Sequence, residues 1–315
     1  MDRHGALLEL GRALARTGYR HVTVTPATHQ RVLRRDPVGA ASLADIFGWS
    51  RRFRACELPQ PMMELMQAAG VACADGDGWR SAVRVTSLDG QLYLHSAFPT
   101  SAANAVFFGP DTYRFLRALG QEPDRPVARA IDIGCGSGAA AIAIALRWPN
   151  AEVLAVDIND EALRLAAVNA ELAGAANVRT LHSDLLSGVD GSFDLIVANP
   201  PYLLDPSERA YRHGGGELGA GLSLAIVDAA LGRLAPGGRL LLYTGVAIVD
   251  GADPFLARIA PVLDRAGVDW RYEEIDPDVF GEELDEAGYR RADRIAAVWL
   301  RVDSTVRRSK GESGA

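Results

Sequence analysis

Hydrophobic and polar positions change their period near residue 127, and the change divides the chain in two. Before it, Leu7, Leu8, Leu10, Leu14 and Ala15 recur at helical spacing until Gly18 supplies a stop. Residues 31–36 are polar and punctuated by Pro37. Ser42 caps a short helix that runs to Phe47, and another helix over 61–69 closes at Gly70. Residues 82–86 and 91–95 then alternate with period two and join through Asp89-Gly90, which is a hairpin signal. Helices followed by a two-stranded wing predict a small α+β, winged-helix-like domain over residues 1–98. The candidate helices lack a dense basic reading face, so packing or protein recognition is favoured over DNA binding for this unit.

From residue 127 short apolar strands alternate with helices. Strands are predicted over 130–133, 152–157, 178–182, 193–198 and 238–244, with late ones over 270–275 and 295–301. Helices are predicted over 138–148, 160–173 and 221–235. This is the rhythm of an α/β fold, a Rossmann-like doubly wound sheet of seven strands spanning 125–302. Right-handed crossovers bring the strands' carboxyl ends to one rim, where ligands bind. Residues 99–124 bridge the two units, and 303–315 read as a disordered tail.

Composition narrows the field. Forty-eight per cent of 315 residues are hydrophobic, enough for a sizeable core, yet no run approaches a membrane span. The N-terminus shows no secretory pattern, and Cys56, Cys73 and Cys135 form neither a CxxC pair nor a disulfide framework. A reducing cytoplasm is the expected setting. Net charge is −7, split as +4 over residues 1–118 (14 Arg, 10 acids) and −11 beyond (19 basic, 30 acids). The acidic sheet domain argues against a nucleic-acid substrate, while the basic first unit keeps one open. The six histidines are scattered, with no metal-binding spacing, so no metal is expected.

The chemistry gathers at strand ends. Gly134, Gly136 and Gly138 follow the first strand, allowing a sharp turn that a ligand can approach, ahead of a helix N-terminus. Gly134, Gly136 and Ala139 also satisfy the dinucleotide pattern, so a nicotinamide enzyme competes. Asp157 ends the second strand, where an acid can accept both hydrogen bonds of a cofactor's ribose diol. Asp132, inside the first strand, would be costly to bury unpaired; a cationic ligand or the turn's own amides would offset that. Asp184 can accept from an adenine amine or act as a plain turn residue. Ile158 and Leu185, beside these acids, and Asn199, at the end of the fourth strand, complete the candidate cofactor set.

The fourth strand is the most informative. It runs into Asn199-Pro200-Pro201-Tyr202, and two prolines cannot continue a central strand. The Asn199 side-chain oxygen and the Pro200 carbonyl can both accept from one NH2 group, and Tyr202 offers a ring face to a planar amide or base. Orienting an amide nitrogen, whose lone pair is delocalised, is work suited to that geometry. Asn199, Pro200 and Tyr202 are therefore the catalytic candidates, with Pro201 beside them at the acceptor.

Residues 125–300 resemble the class I S-adenosylmethionine methyltransferases. The 199–202 tetrapeptide is similar to that of the release-factor glutamine methyltransferases and of the amino-type adenine and guanine methyltransferases. The segment Phe107 to Tyr113 resembles the one before the core in the glutamine branch, where it closes over cofactor and substrate. The resemblance implies S-adenosylmethionine as cofactor, held by Gly134, Gly136, Gly138 and Asp157 with Asp184 near adenine. It also implies that Asn199 and Tyr202 hold the acceptor, and that Phe108 and Thr112 contact substrate. The expected reaction is methyl transfer to a planar NH2, a protein glutamine amide by preference, by a monomer or homodimer. The alternatives are adenine N6 or guanine N2 of a nucleic acid, a small metabolite, a nicotinamide-linked oxidoreductase, or a non-catalytic partner that kept the fold. One departure is evident: the glutamine family's first domain is all-helical, and a hairpin is predicted here. His213, in the polar loop 211–217, is expected to contact substrate rather than act as a general base.

Overall fold

The computed structural model describes residues 1–35, 40, 42–205, 209 and 211–305. Four helices open the chain: α1 (Arg3–Arg16), α2 (Pro26–Arg35), α3 (Leu43–Phe47) and α4 (Gln60–Ala69). Asp2 caps α1 by accepting from Gly5 N, Ser42 caps α3, and Gly70 ends α4 in the left-handed region at φ 71°. Two antiparallel hairpins follow, β1 (Ala72–Asp75) with β2 (Gly78–Ser81), and β3 (Val83–Leu88) with β4 (Gln91–Ser96). Only the second was expected. At its turn Asp89 and Gly90 both have positive φ, as the tight hairpin requires.

The rest is one sheet with helices on both faces. In chain order come α5 (Pro110–Gln121), β5 (Arg129–Ile133), α6 (Ala139–Arg147), β6 (Glu152–Asp157), α7 (Asp160–Leu172), β7 (Val178–His182) and β8 (Phe193–Ala198). Then follow α8 (Gly221–Leu231), β9 (Leu234–Val249), α9 (Pro254–Ala266), β10 (Asp269–Asp276) and β11 (Ala292–Asp303). The seven strands lie in the order β10-β11-β9-β8-β5-β6-β7; β5 to β10 run in one direction, and β11, between β10 and β9, runs antiparallel to both. Because β5 and β8 are neighbours with their helices on opposite sides, a crevice opens at their carboxyl ends. The last strand continues to Asp303, which moves the start of the expected tail; residues 306–315 lie outside the described residues, as do Asp36 and Pro37.

Strand parity sorts the core. Ile131, Ile133, Ile196, Leu240 and Leu242 bury against α8 and α9 on one face. Ala130, Leu195, Val197, Leu241 and Tyr243 bury against α5 and α6 on the other, the face to which Asp132 also points. The N-terminal core is not closed at residue 98: Leu7, Leu10, Phe47, Met66, Val85 and Leu94 pack with Ala162, Leu165 and Val168 of α7.

One side chain fastens the two cores together. Asn169 on α7 is fully buried. Its Oδ1 accepts from Leu94 N at 2.8 Å, and its Nδ2 donates to Leu94 O and Ser137 O, both at 2.9 Å. It therefore completes the outer edge of β4 and anchors the glycine turn in one contact. Replacing Asn169 by Ala strands two carbonyls and an N–H, and is expected to lower stability by about 2–4 kcal/mol in chemical denaturation. A loss within about 0.5 kcal/mol, the level of an ordinary surface change, would remove this role.

Candidate active site

At the end of β5 the chain turns through three glycines in the left-handed region, Gly134 at φ 69°, Gly136 at 53° and Gly138 at 78°. They do different work. A Cβ at 134 or 136 would meet no atom within 4 Å, so a side chain there would project into open space and fill the crevice. A Cβ at 138 would lie 2.9 Å from that of Ala166, so this glycine lets α6 pack on α7 and does not line the crevice. The crevice, about 230 Å³, is bounded by Gly134 to Ser137, Asp132, Asp157, Ile158, Asp184 and Leu185 at one end.

The two inner carboxylates differ in environment. Asp157 accepts from Gly136 N at 3.0 Å and Asn159 N at 2.9 Å, which partly offsets the burial that raises its pKa. Asp132 is 2% exposed, and a single donor reaches it, Ala141 N at 3.1 Å. Burial, with a smaller push from Asp157, raises its pKa to about 7. Of the two compensations expected for Asp132, the chain itself supplies one amide, from α6 and not from the glycine turn. Ile158 is exposed at the crevice edge, Asp184 is exposed, and Leu185 is held at φ 50° beside it.

The other end is built by the segment after β8. Ile133 pairs with Ala198, so Gly134 and Asn199 are the first residues off two adjacent strands. Asn199, Pro200, Pro201 and Tyr202 all line the crevice. Among the described residues neither the Asn199 side chain nor the Pro200 carbonyl has a hydrogen-bond partner. Tyr202 is 5% exposed, with its hydroxyl donating to Asp111 Oδ2 at 2.6 Å. Its ring occupies the space a side chain at Gly245 would take, and meets Phe280 edge-on at 5.9 Å. The hydroxyl and one ring face of Tyr202 are thus committed within the protein.

Two expected substrate contacts lie elsewhere. Phe108 is fully buried among Tyr93, His95 and Tyr113 and does not line the crevice; its neighbour Phe107 does, stacked on Tyr211 at 6.1 Å. Adjacent residues of an extended segment face opposite ways, and the sequence alone did not say which phenylalanine faced in. His213 is also absent from the lining: its Nδ1 accepts from Asp205 N at 3.2 Å, bracing the loop. Thr112 does line the crevice, at the first turn of α5. Residues not singled out from sequence but present there are Pro26, Asp111, Tyr211, Arg212 and Phe280. Tyr211 ties the loop across the opening by donating to Thr100 O at 2.5 Å. Arg212 pairs with Glu283 and approaches Asp205, whose carboxyl the Arg209 hydrogen bonds hold down at about 2.

Comparison with known proteins bears on this geometry. Residues 112–247 match the family model described as methyltransferase small domain. A release factor glutamine methyltransferase of Deinococcus radiodurans is 37% identical over 220 residues, 65% of this chain and 74% of that protein. A release factor glutamine methyltransferase of Lactococcus lactis is 36% identical over 147 residues, and a ribosomal protein uL3 glutamine methyltransferase of Xanthomonas campestris is 37% identical over 158. These matches take in 43% and 47% of this chain, and it spans about half the length of both proteins, 54% and 50%.

The Asp132 environment makes a signed prediction. Its folded pKa of about 7 lies above the unfolded value of 3.8, so ionisation costs the native state stability as pH rises between those values. The D132N variant carries no such charge. Its unfolding free energy should therefore gain on that of the parent by a few kcal/mol from about pH 4 to 7, then level off. A difference that stays flat across this window would show that Asp132 ionises normally.

Proposed function

This chain belongs to the S-adenosylmethionine-dependent methyltransferase family that includes the release factor glutamine methyltransferases, and we propose that it methylates a glutamine side-chain amide of a protein. Family membership displaces the nicotinamide alternative, which rested on the glycines alone. The observation that carries the proposal is the pair of unpartnered acceptors, the Asn199 side chain and the Pro200 carbonyl, at the lip of the crevice that holds the glycine turn.

S-adenosylmethionine supplies an electrophilic methyl on a sulfonium. The residues at the first end of the crevice fit such a group. Gly134 and Gly136 leave a cradle that a Cβ would fill, Asp157 presents a carboxylate to a ribose diol, and Asp132 offers a buried negative charge to a cation. At the second end, Asn199 and Pro200 accept the two hydrogens of one NH2 group and fix its nitrogen in the plane they define. Tyr202 holds that segment in place, and Phe107 and Tyr211 wall the approach.

Arg212 is the one basic residue among the described lining residues, and its charge is already matched by Glu283. No cation is left over for a phosphate, which favours an uncharged acceptor such as an amide over a nucleotide.

Incubation with methyl-labelled cofactor and host lysate, followed by mass mapping, should place the label on a protein glutamine. Label confined to nuclease-sensitive material would overturn the proposal. Against the identified acceptor, Asn199→Ala should cut kcat about 100-fold or more while S-adenosylhomocysteine affinity stays within about threefold. Near-normal turnover of that variant would dismiss the acceptor role of Asn199.

A further inference from the structure

Asp111 is a buried carboxylate that the chemistry above does not use. It is the second residue of α5, next to Pro110, and is 6% exposed. Tyr202 Oη donates to its Oδ2 at 2.6 Å, Tyr243 Oη donates to its Oδ1 at 2.7 Å, and Arg114 donates to Oδ1 at 3.1 Å. Arg114 is itself fixed by Asp276 at 2.9 Å. The first turn of a helix is a favourable place for a negative charge. Three donors nevertheless leave a desolvation cost that apolar side chains of similar size would not incur.

Directional hydrogen bonds give what apolar packing cannot, a fixed position for one phenol. Tyr243 and Gly245 lie two residues apart on β9 and face the same side of the sheet. The Tyr202 ring rests where Gly245 has no side chain; a Cβ there would fall 2.1 Å from its Cε2. The ring is therefore bounded by backbone on one side and Phe280 on another, and its hydroxyl is set by Asp111. Tyr202 is three residues from Asn199 and two from Pro200, with two prolines between that cannot absorb rotation about φ. Any shift of the phenol is passed to the acceptor pair.

We propose that Asp111 is a positioning residue for methyl transfer: by holding the Tyr202 hydroxyl it sets the Asn199–Pro200 acceptor pair. The proposal rests on the functional reading given above. Because Asp111 belongs to the segment before the sheet and both tyrosines belong to the sheet domain, the acceptor pair is fully placed only when α5 is docked.

A double-mutant cycle tests this with D111N, Y202F and the combination, using single-turnover rates with labelled cofactor on whichever acceptor the parent enzyme labels. Measuring on that acceptor separates the two ideas, since a parent that labels no glutamine sinks the substrate assignment and leaves the cycle interpretable. D111N and Y202F should each slow transfer at least about tenfold, since misplacement by about 1 Å can cost 100-fold. S-adenosylhomocysteine affinity should hold within about threefold in both, because the cofactor end is intact. The double variant should be no slower than the slower single one. Should the two losses multiply, or should D111N transfer at the parent rate, Asp111 does not act through Tyr202. If D111N fails to fold, Y202F and Y243F decide alone: Y202F should be the slower by a clear margin, and equal rates overturn the proposal.

Discussion

The hydrogen bonds of one carboxamide, that of Asn169, are the constraint on which the crevice depends. A turn with three glycines in five residues has only two side chains, Cys135 and Ser137, to stiffen it and a large conformational entropy to lose. Its shape is held from outside, by Val156 O accepting from Gly134 N and Cys135 N, by Asp157 accepting from Gly136 N, and by Asn169 donating to Ser137 O. The same amide satisfies Leu94 in the N-terminal hairpin. The N-terminal unit is consequently part of the support for the glycine turn, in addition to whatever it recognises.

Much of the sheet domain was legible because its signals are local. The seven strands, the glycine turn, the acid that ends β6 and the proline break after β8 each announce themselves within a few residues. Part of what escaped depends on contacts far apart in sequence. The Asp111 bonds to Tyr202 and Tyr243 span 91 and 132 residues, and no local pattern marks them. Helix α2 escaped because it buries only His29, so it shows no apolar stripe. The β1–β2 hairpin escaped because its strands are only four residues long and, apart from Trp79, carry no large apolar residue to show a period of two, although Gly76 and Gly78 mark its turn. The β3–β4 hairpin was legible from its alternation and its Asp89-Gly90 turn, yet its contact with α7 came only with the structure.

Three buried charges of this chain are handled in different ways. Asp111 is met by three donors, and Asp132 by one amide and a space open to the crevice. Arg84, 3% exposed, has no ion pair among the described residues. It lies 3.4 Å from His29 Nδ1 in a polar pocket with His21 and His95. Burial first, and Arg84 second, depress all three imidazoles, His21 and His29 to about 4. The N-terminal unit thus keeps one cation inside by keeping its neighbours neutral, an arrangement suited to packing and vulnerable to acid.

The pairing of Ile133 with Ala198 has a metric consequence. Gly134 and Asn199 leave the sheet from neighbouring strands at the same rung, so their starting separation is one interstrand spacing, about 4.8 Å. That gauge is built into backbone hydrogen bonds and cannot be lengthened by side-chain change. Variation in what the crevice admits must come from the segments that flank the rung, such as 211–217 and 99–109, while the spacing of the two strand ends stays constant.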